Sequence, residues 1–120
     1  MNKTKLTLKR CDVVLVLFPN SDLKTAKTRP AVIIQADNLN TGLSQVIIAM
    51  ITSNMSRANH PSRVTILLNS LLGKNSGLLS DSVVMTDNLA TVETAAIYRI
   101  IGYLPDEKID KALKYTLSLS

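Results

Sequence analysis

Five short runs of valine, isoleucine and leucine recur along the chain, at residues 12–18, 31–35, 46–51, 63–68 and 82–86. Each is bounded by polar residues, often with proline, glycine or asparagine among them. Runs of this length, rich in β-branched residues, read as strands. Alternation within them is weak, because nearly every position is apolar, and strands covered on both faces look like this. A dimer contact covering one sheet face is one way to achieve it. Short strands with interposed loops and a terminal helix predict a small, strongly curved antiparallel barrel, mainly β with short α. A chain of 120 residues suits one domain with its own core. The domain is expected to span residues 1–120, with residues 1–9 as a loose basic arm.

The intervening segments carry the turn chemistry. Residues 19–28 form a polar loop longer than the usual connection of about 4–6 residues, and long loops often serve a site. Asn38, Asn40 and Gly42 mark a turn. Residues 55–62 form a second polar loop with Arg57, His60 and Pro61. A helical turn is expected around Leu71-Leu72, a bend at residues 87–91, and a helical turn or short helix over residues 93–101. A clearer helix follows Pro105-Asp106-Glu107, where proline and acids suit a helix start. Its apolar face would be Ile109, Ala112, Leu113, Thr116 and Leu117.

Bulk properties narrow the function. The longest apolar runs, such as residues 46–51, are too short to span a bilayer. The N-terminus has no signal-like stretch, so a cytoplasmic location is the default. Cys11 has no second cysteine to pair with and no neighbours at metal-ligand spacing, which disfavours a structural metal. The charge is uneven. Nine lysines and arginines face three aspartates through Arg63, a net +6, whereas five basic and six acidic residues follow, a net −1. A basic half suggests a polyanionic partner; the bland alternative is solubility charge on loops. The only aromatics are Phe18, Tyr98, Tyr103 and Tyr115, too few for an extensive base-stacking platform.

Within the basic half, Lys27-Thr28-Arg29-Pro30 leads directly into Ala31-Val32-Ile33-Ile34-Gln35. Proline fixes φ at the strand entry and biases Arg29 toward extended geometry. A guanidinium, a charged fork that matches phosphate, is thereby held at the mouth of a sheet.

These residues resemble a known family. Asp12-Val13-Val14-Leu15-Val16 with Phe18-Pro19, then Arg29-Pro30-Ala31-Val32-Ile33-Ile34, is similar to the opening of MazF/PemK-type toxins, the group that includes Kid. Ile51-Thr52-Ser53, Gly77-Leu78, Asp81-Ser82-Val83-Val84, Asp87-Asn88-Leu89, Thr91-Val92, Ile101-Gly102-Tyr103-Leu104 and Ile109-Asp110-Lys111-Ala112-Leu113 follow in the family's order. The resemblance covers nearly the whole chain from about Lys9. It implies an SH3-like, CcdB-like barrel, usually a homodimer. It also implies a ribonuclease toxin that cuts single-stranded mRNA at short sequences, without metal or other cofactor. A cognate antitoxin with an acidic, extended C-terminal segment would hold it inactive. DNA would be met only through the antitoxin complex, and no membrane is involved.

Carried over residue by residue, the resemblance makes Arg29 and Thr52 the catalytic pair. The implied reaction is attack of a ribose 2′-OH on the adjacent phosphorus, leaving a cyclic phosphate and a 5′-OH. Charge gathers on phosphoryl oxygens, so fixed donors there accelerate it. Ser53 could substitute or assist. Asp87 corresponds to an aspartate that some relatives use near the site, as a base or to orient Arg29; the alternative is a turn residue. Lys24, Lys27 and Thr28 would form one wall of an RNA groove, contacting phosphates. Asn54 and Arg57, with Asn59, would form the other wall and help read bases.

The chain also departs from the family. Leu23 stands where some relatives carry a loop histidine, and His60 lies in a different loop. Met85 replaces an arginine, Ala90 and Thr94 stand in a stretch that is often basic, and Cys11 replaces a glycine. Two alternatives therefore stay open: a gyrase-inhibiting toxin of the same fold, and a weakened member that only binds antitoxin or RNA.

Overall fold

The computed structural model describes residues 7–19, 22, 24–105 and 107–120. The expected loose arm up to residue 6, Leu23, and Asp106 at the helix start lie outside them. Among the described residues are six strands: β1 (Asp12–Pro19), β2 (Ala26–Ile33), β3 (Gln45–Thr52), β4 (Arg63–Ile66), β5 (Ser82–Glu93) and β6 (Ile97–Tyr103). Two helices accompany them, α1 (Leu71–Asn75) and α2 (Glu107–Thr116). The strands form one antiparallel sheet in the order β4-β5-β3-β2-β1-β6. The expected mainly β, curved antiparallel architecture with a C-terminal helix is what is found.

The weak alternation has a direct cause. The central strands are covered on both faces, so both sets of side chains must be apolar. Val13, Val32, Ala49, Ile51 and Val84 form one cluster with Ile109 and Ala112 of α2. Val14, Val16, Ala31, Ile33, Val46, Ile48 and Met50 form the second, with Ile97. On α2, Leu113 and Thr116 are half-buried, but Leu117 falls beyond the helix end and is exposed.

Curvature comes from interruptions in the ladders, because an extra residue in one strand bends it and increases its twist. The β1–β6 register shifts twice. In β3–β5 the partner jumps from Leu89, opposite Ala49, to Met85, opposite Met50. Residues 86–88 are thus set outside the ladder. Of the bend expected at residues 87–91, Asp87 and Asn88 fall in this bulge, whereas Leu89, Ala90 and Thr91 are strand, paired with Ala49, Ile48 and Ile47.

Residues 93–101 correct the sequence reading. Only Thr94–Ala96 is helical, a single 3-10 turn, and Ile97 onward is strand. Ile97, Ile100 and Ile101 recur at helical spacing, but they are also β-branched residues beside β1. There, cross-strand pairing of Val16 with Ile97 and Val14 with Ile100 takes precedence over local periodicity. The first loop is also shorter than expected, because β2 begins at Ala26.

Candidate active site

The site begins with a proline that cannot donate a hydrogen bond. The Ile34 N–H donates to the Ile47 carbonyl across β2 and β3. Alternate residues of an antiparallel strand address the same neighbour, so the β2 backbone nitrogens facing β3 are those of Ile34, Val32 and Pro30. Proline has no N–H, and the β2–β3 ladder ends at the Ala31–Met50 pair. Beyond it each strand stays attached on its far side. β2 runs with β1 as far as the Ala26–Pro19 pair, and β3 runs with β5 to the Thr52–Val83 pair. The sheet opens between them.

The opening is a cavity of about 280 Å³. One wall is Lys27, Thr28, Arg29 and Pro30 of β2, and the second is Ile51, Thr52 and Ser53 at the end of β3. Leu78, Leu79, Ser80 and Ser82 form the third. Arg29 is exposed, and among the described residues its guanidinium has no partner. The Thr52 hydroxyl accepts from the Asn54 N–H at 3.1 Å. That bond fixes the oxygen and leaves its proton to donate. The site therefore offers a charged fork, a fixed hydroxyl and the exposed Lys27 ammonium, a set of donors suited to a phosphate.

The sequence matches the family of PemK-like, MazF-like toxins of type II toxin–antitoxin systems over residues 9–117. The chain belongs to this toxin family. It is 30% identical over 118 residues to endoribonuclease EndoA of Bacillus subtilis, covering 95% of this chain and 97% of that protein. Its fold superimposes on a mycobacterial endoribonuclease solved with its cognate antitoxin at a TM-score of 0.70 and 21% identity, covering 94% and 97% of the two chains. It also superimposes on a MazE–MazF structure from Deinococcus radiodurans at a TM-score of 0.70 and 19% identity, covering 96% and 100%.

Of the residues singled out in the toxin's sequence, Arg29, Thr52, Ser53, Lys27 and Thr28 meet in the cavity. Lys24, Asn54, Arg57 and Asp87 are not among its lining residues. Lys24 is exposed, and its N–H and that of Thr25 donate to the Asp22 carboxylate at 2.9 and 3.1 Å. Those N–H bonds hold the Asp22 carboxyl below its ordinary pKa. Asn54 caps the single turn Met55–Arg57 by accepting from the Ser56 N–H. Asp87 sits in the bulge and accepts from Arg63, at 2.7 Å from Nη2 and 3.3 Å from Nε. The bond from Arg63 lowers the Asp87 pKa. Arg63 also donates to the Arg57 carbonyl, so it ties the second polar loop to the bulge.

The other departures have structural roles. Met85 and Ala90 are half-buried against the second apolar cluster, and the Thr94 N–H donates to the Ser44 carbonyl at 2.9 Å. His60 Nδ1 lies 2.7 Å from the Ser62 hydroxyl, and its ring meets Tyr115 edge-on. Cys11 takes a positive φ of 76°, a conformation natural to glycine. Burial raises its thiol pKa.

Sequence reasoning did not single out the wall from Leu78 to Ser82 as part of the site. Gly77-Leu78 and Asp81-Ser82 match the family's order without marking a site, and the residue with a physical signal is Gly77. That residue has a φ of +74°, and a Cβ there would run into the Ile101 carbonyl.

Proposed function

We propose that the toxin is a metal-independent endoribonuclease that seats one phosphodiester of single-stranded mRNA between Arg29 and Thr52. One observation carries this reading: the two residues line a single opening where Pro30 ends the β2–β3 ladder. In the reaction the ribose 2′-oxygen attacks phosphorus and the bond to the 5′-oxygen breaks. One proton leaves the 2′-oxygen and one is taken up at the 5′-oxygen, so protons balance. The products are a 2′,3′-cyclic phosphate and a 5′-OH. The Arg29 fork and the Thr52 hydroxyl meet the charge that develops on the phosphoryl oxygens. Ser53 is a second hydroxyl at the same mouth. Lys27, Thr28 and Lys24 receive neighbouring phosphates, and Asn54 and Arg57 lie along the outgoing strand. Asp87 sets the arrangement of the bulge and the second polar loop through Arg63.

The toxin acts in the cytoplasm as a homodimer and is silenced by a cognate antitoxin. An acidic, extended antitoxin segment neutralises the cationic opening, and DNA is met only through that complex. Relatives solved with antitoxins support this part of the reading, and a monomer at micromolar concentration in sedimentation would remove the dimer.

The chemistry is tested by mapping cut sites in a mixed-sequence RNA and replacing the ribose 5′ of one cut with 2′-deoxyribose. The reading predicts 5′-OH and cyclic phosphate ends, and no cutting at the deoxy position. Cutting that continues there, or 5′-phosphate products, would contradict it.

A further inference from the structure

We propose that the wall from Leu78 to Ser82 selects the base of the nucleotide held at the cut, a role that rests on the ribonuclease reading above. The three walls differ in chemistry. Arg29, Lys27 and Thr52 carry the charge and hydroxyl that a phosphate needs, whereas the facing wall has no charged lining residue. At about 280 Å³ the cavity lies at or below the small end of ligand sites, which run from about 300 Å³. One nucleotide fills it, and the rest of the strand lies on the surface. With the phosphate on Arg29 and Thr52, the base falls against the uncharged wall.

That wall is built to read a base. Leu79 lines the cavity while 95% exposed, an apolar surface that nothing in the fold covers. Among the described residues, the Leu79 and Ser80 backbone N–H groups have no hydrogen-bond partner. Free N–H groups and a serine hydroxyl are what base carbonyls and ring nitrogens pair with, and an apolar side chain supports the ring face.

The wall is also fixed in place, as discrimination requires. At one end Gly77 presses on Ile101, and the Leu78 N–H donates to the buried Ser76 hydroxyl at 3.1 Å. At the other end the Ser82 hydroxyl donates to the Ser80 carbonyl at 2.9 Å, and Asp81 accepts from the Leu68 N–H at 2.7 Å. Ser82 precedes Val83, the cross-strand partner of Thr52, so the base reader and the phosphate site share one ladder.

The test compares wild type, Leu79→Ala, Ser80→Pro and the double variant on two probes. Ser80→Pro removes one of the free N–H groups together with the hydroxyl. The first probe is a random-sequence RNA, read as cut-site preferences. The second is a fully 2′-deoxy random oligonucleotide, which cannot be cut, read by enrichment on the immobilised protein. The proposal expects wild type to prefer one base at one position on both probes. Ser80→Pro and the double variant should lose that preference by about tenfold, the worth of one hydrogen bond to a base, Leu79→Ala should weaken it through the lost apolar support, and all three should keep the preferences at the other positions. Unchanged preferences in the variants would overturn it. So would a uniform loss at every position, or the absence of any preference on the deoxy probe. If wild type leaves RNA uncut, the ribonuclease reading fails while the deoxy enrichment still decides the wall's role. A melting curve for each variant confirms that it folds, as expected for exposed positions.

Discussion

Arg29 and Thr52 stand where β2 and β3 part, and Arg63 and Thr86 stand where β4 leaves the second polar loop and β5 bulges. The residue types are the same, but the surroundings differ. The Arg63 guanidinium is occupied by both Asp87 oxygens and the Arg57 carbonyl. The Thr86 side chain is fully buried, and its hydroxyl donates to the Ser62 carbonyl at 2.6 Å and meets the Thr116 hydroxyl at 2.8 Å. These groups close the fold around the bulge. At the other strand end, Arg29 faces the opening without a partner and the Thr52 proton has no acceptor among the described residues. A donor already satisfied inside the protein gains little by meeting a phosphate. A fixed donor left unsatisfied can spend its whole strength on one.

Thr52→Val sharpens this contrast most. It removes a fixed donor from the phosphate site and should cut the cleavage rate roughly a hundredfold or more, with the melting temperature nearly unchanged. Thr52→Ser should retain most of the rate, and single-turnover kinetics on one RNA substrate separate these outcomes. Gly77→Ala attacks the third wall of the opening beside Arg29 and Thr52. A positive φ and a collision with the Ile101 carbonyl should cost roughly 2–4 kcal/mol, read by urea unfolding. Thr86→Val is the mirror of Thr52→Val. It should cost about 1–2 kcal/mol for the lost buried bonds and leave the cleavage rate per folded molecule intact.

The smallest effect belongs to the ion pair. Arg63 lowers the Asp87 carboxyl below its ordinary value of 3.8. A carboxyl lowered on folding stabilises the fold above its unfolded pKa, and that contribution is lost as pH falls through the folded one. Wild type should therefore melt slightly above Asp87→Asn near about pH 6, and the gap should close as acid protonates the Asp87 carboxylate. A gap that widened on acidification would break the assignment.

Much of this division was legible in the chain. Arg29-Pro30 pointed to a guanidinium at the opening of the sheet, and the short β-branched runs located five of the strands but not β6, the first half of β2 or the second half of β5. Ile97, Ile100 and Ile101 satisfy helical and strand periodicity alike, so only pairing with β1 decides between them. The bend expected at residues 87–91 captures the bulge at Asp87 and Asn88 but not the strand that resumes at Leu89, because a break in a ladder and an end of a ladder carry the same local residues. The partner of Asp87 was out of reach for another reason: Arg63 lies 24 residues away and meets it only through the β4–β5 register. The wall at Leu78–Ser82 was not singled out as part of the site, since nothing in those residues announces an opening made by Pro30 nearly fifty positions earlier.

On this reading the unpaired arginine works on RNA and the paired one holds the fold. The direct test measures initial cleavage rates of a mixed-sequence single-stranded RNA in excess EDTA by wild type, Arg29→Ala and Arg63→Ala, each checked by melting. Expected are cutting by wild type, a loss of roughly a hundredfold to a thousandfold in Arg29→Ala at unchanged stability, and continued cutting by a less stable Arg63→Ala. A folded Arg29→Ala that cuts like wild type, or an Arg63→Ala that keeps its stability and loses cutting, would contradict it.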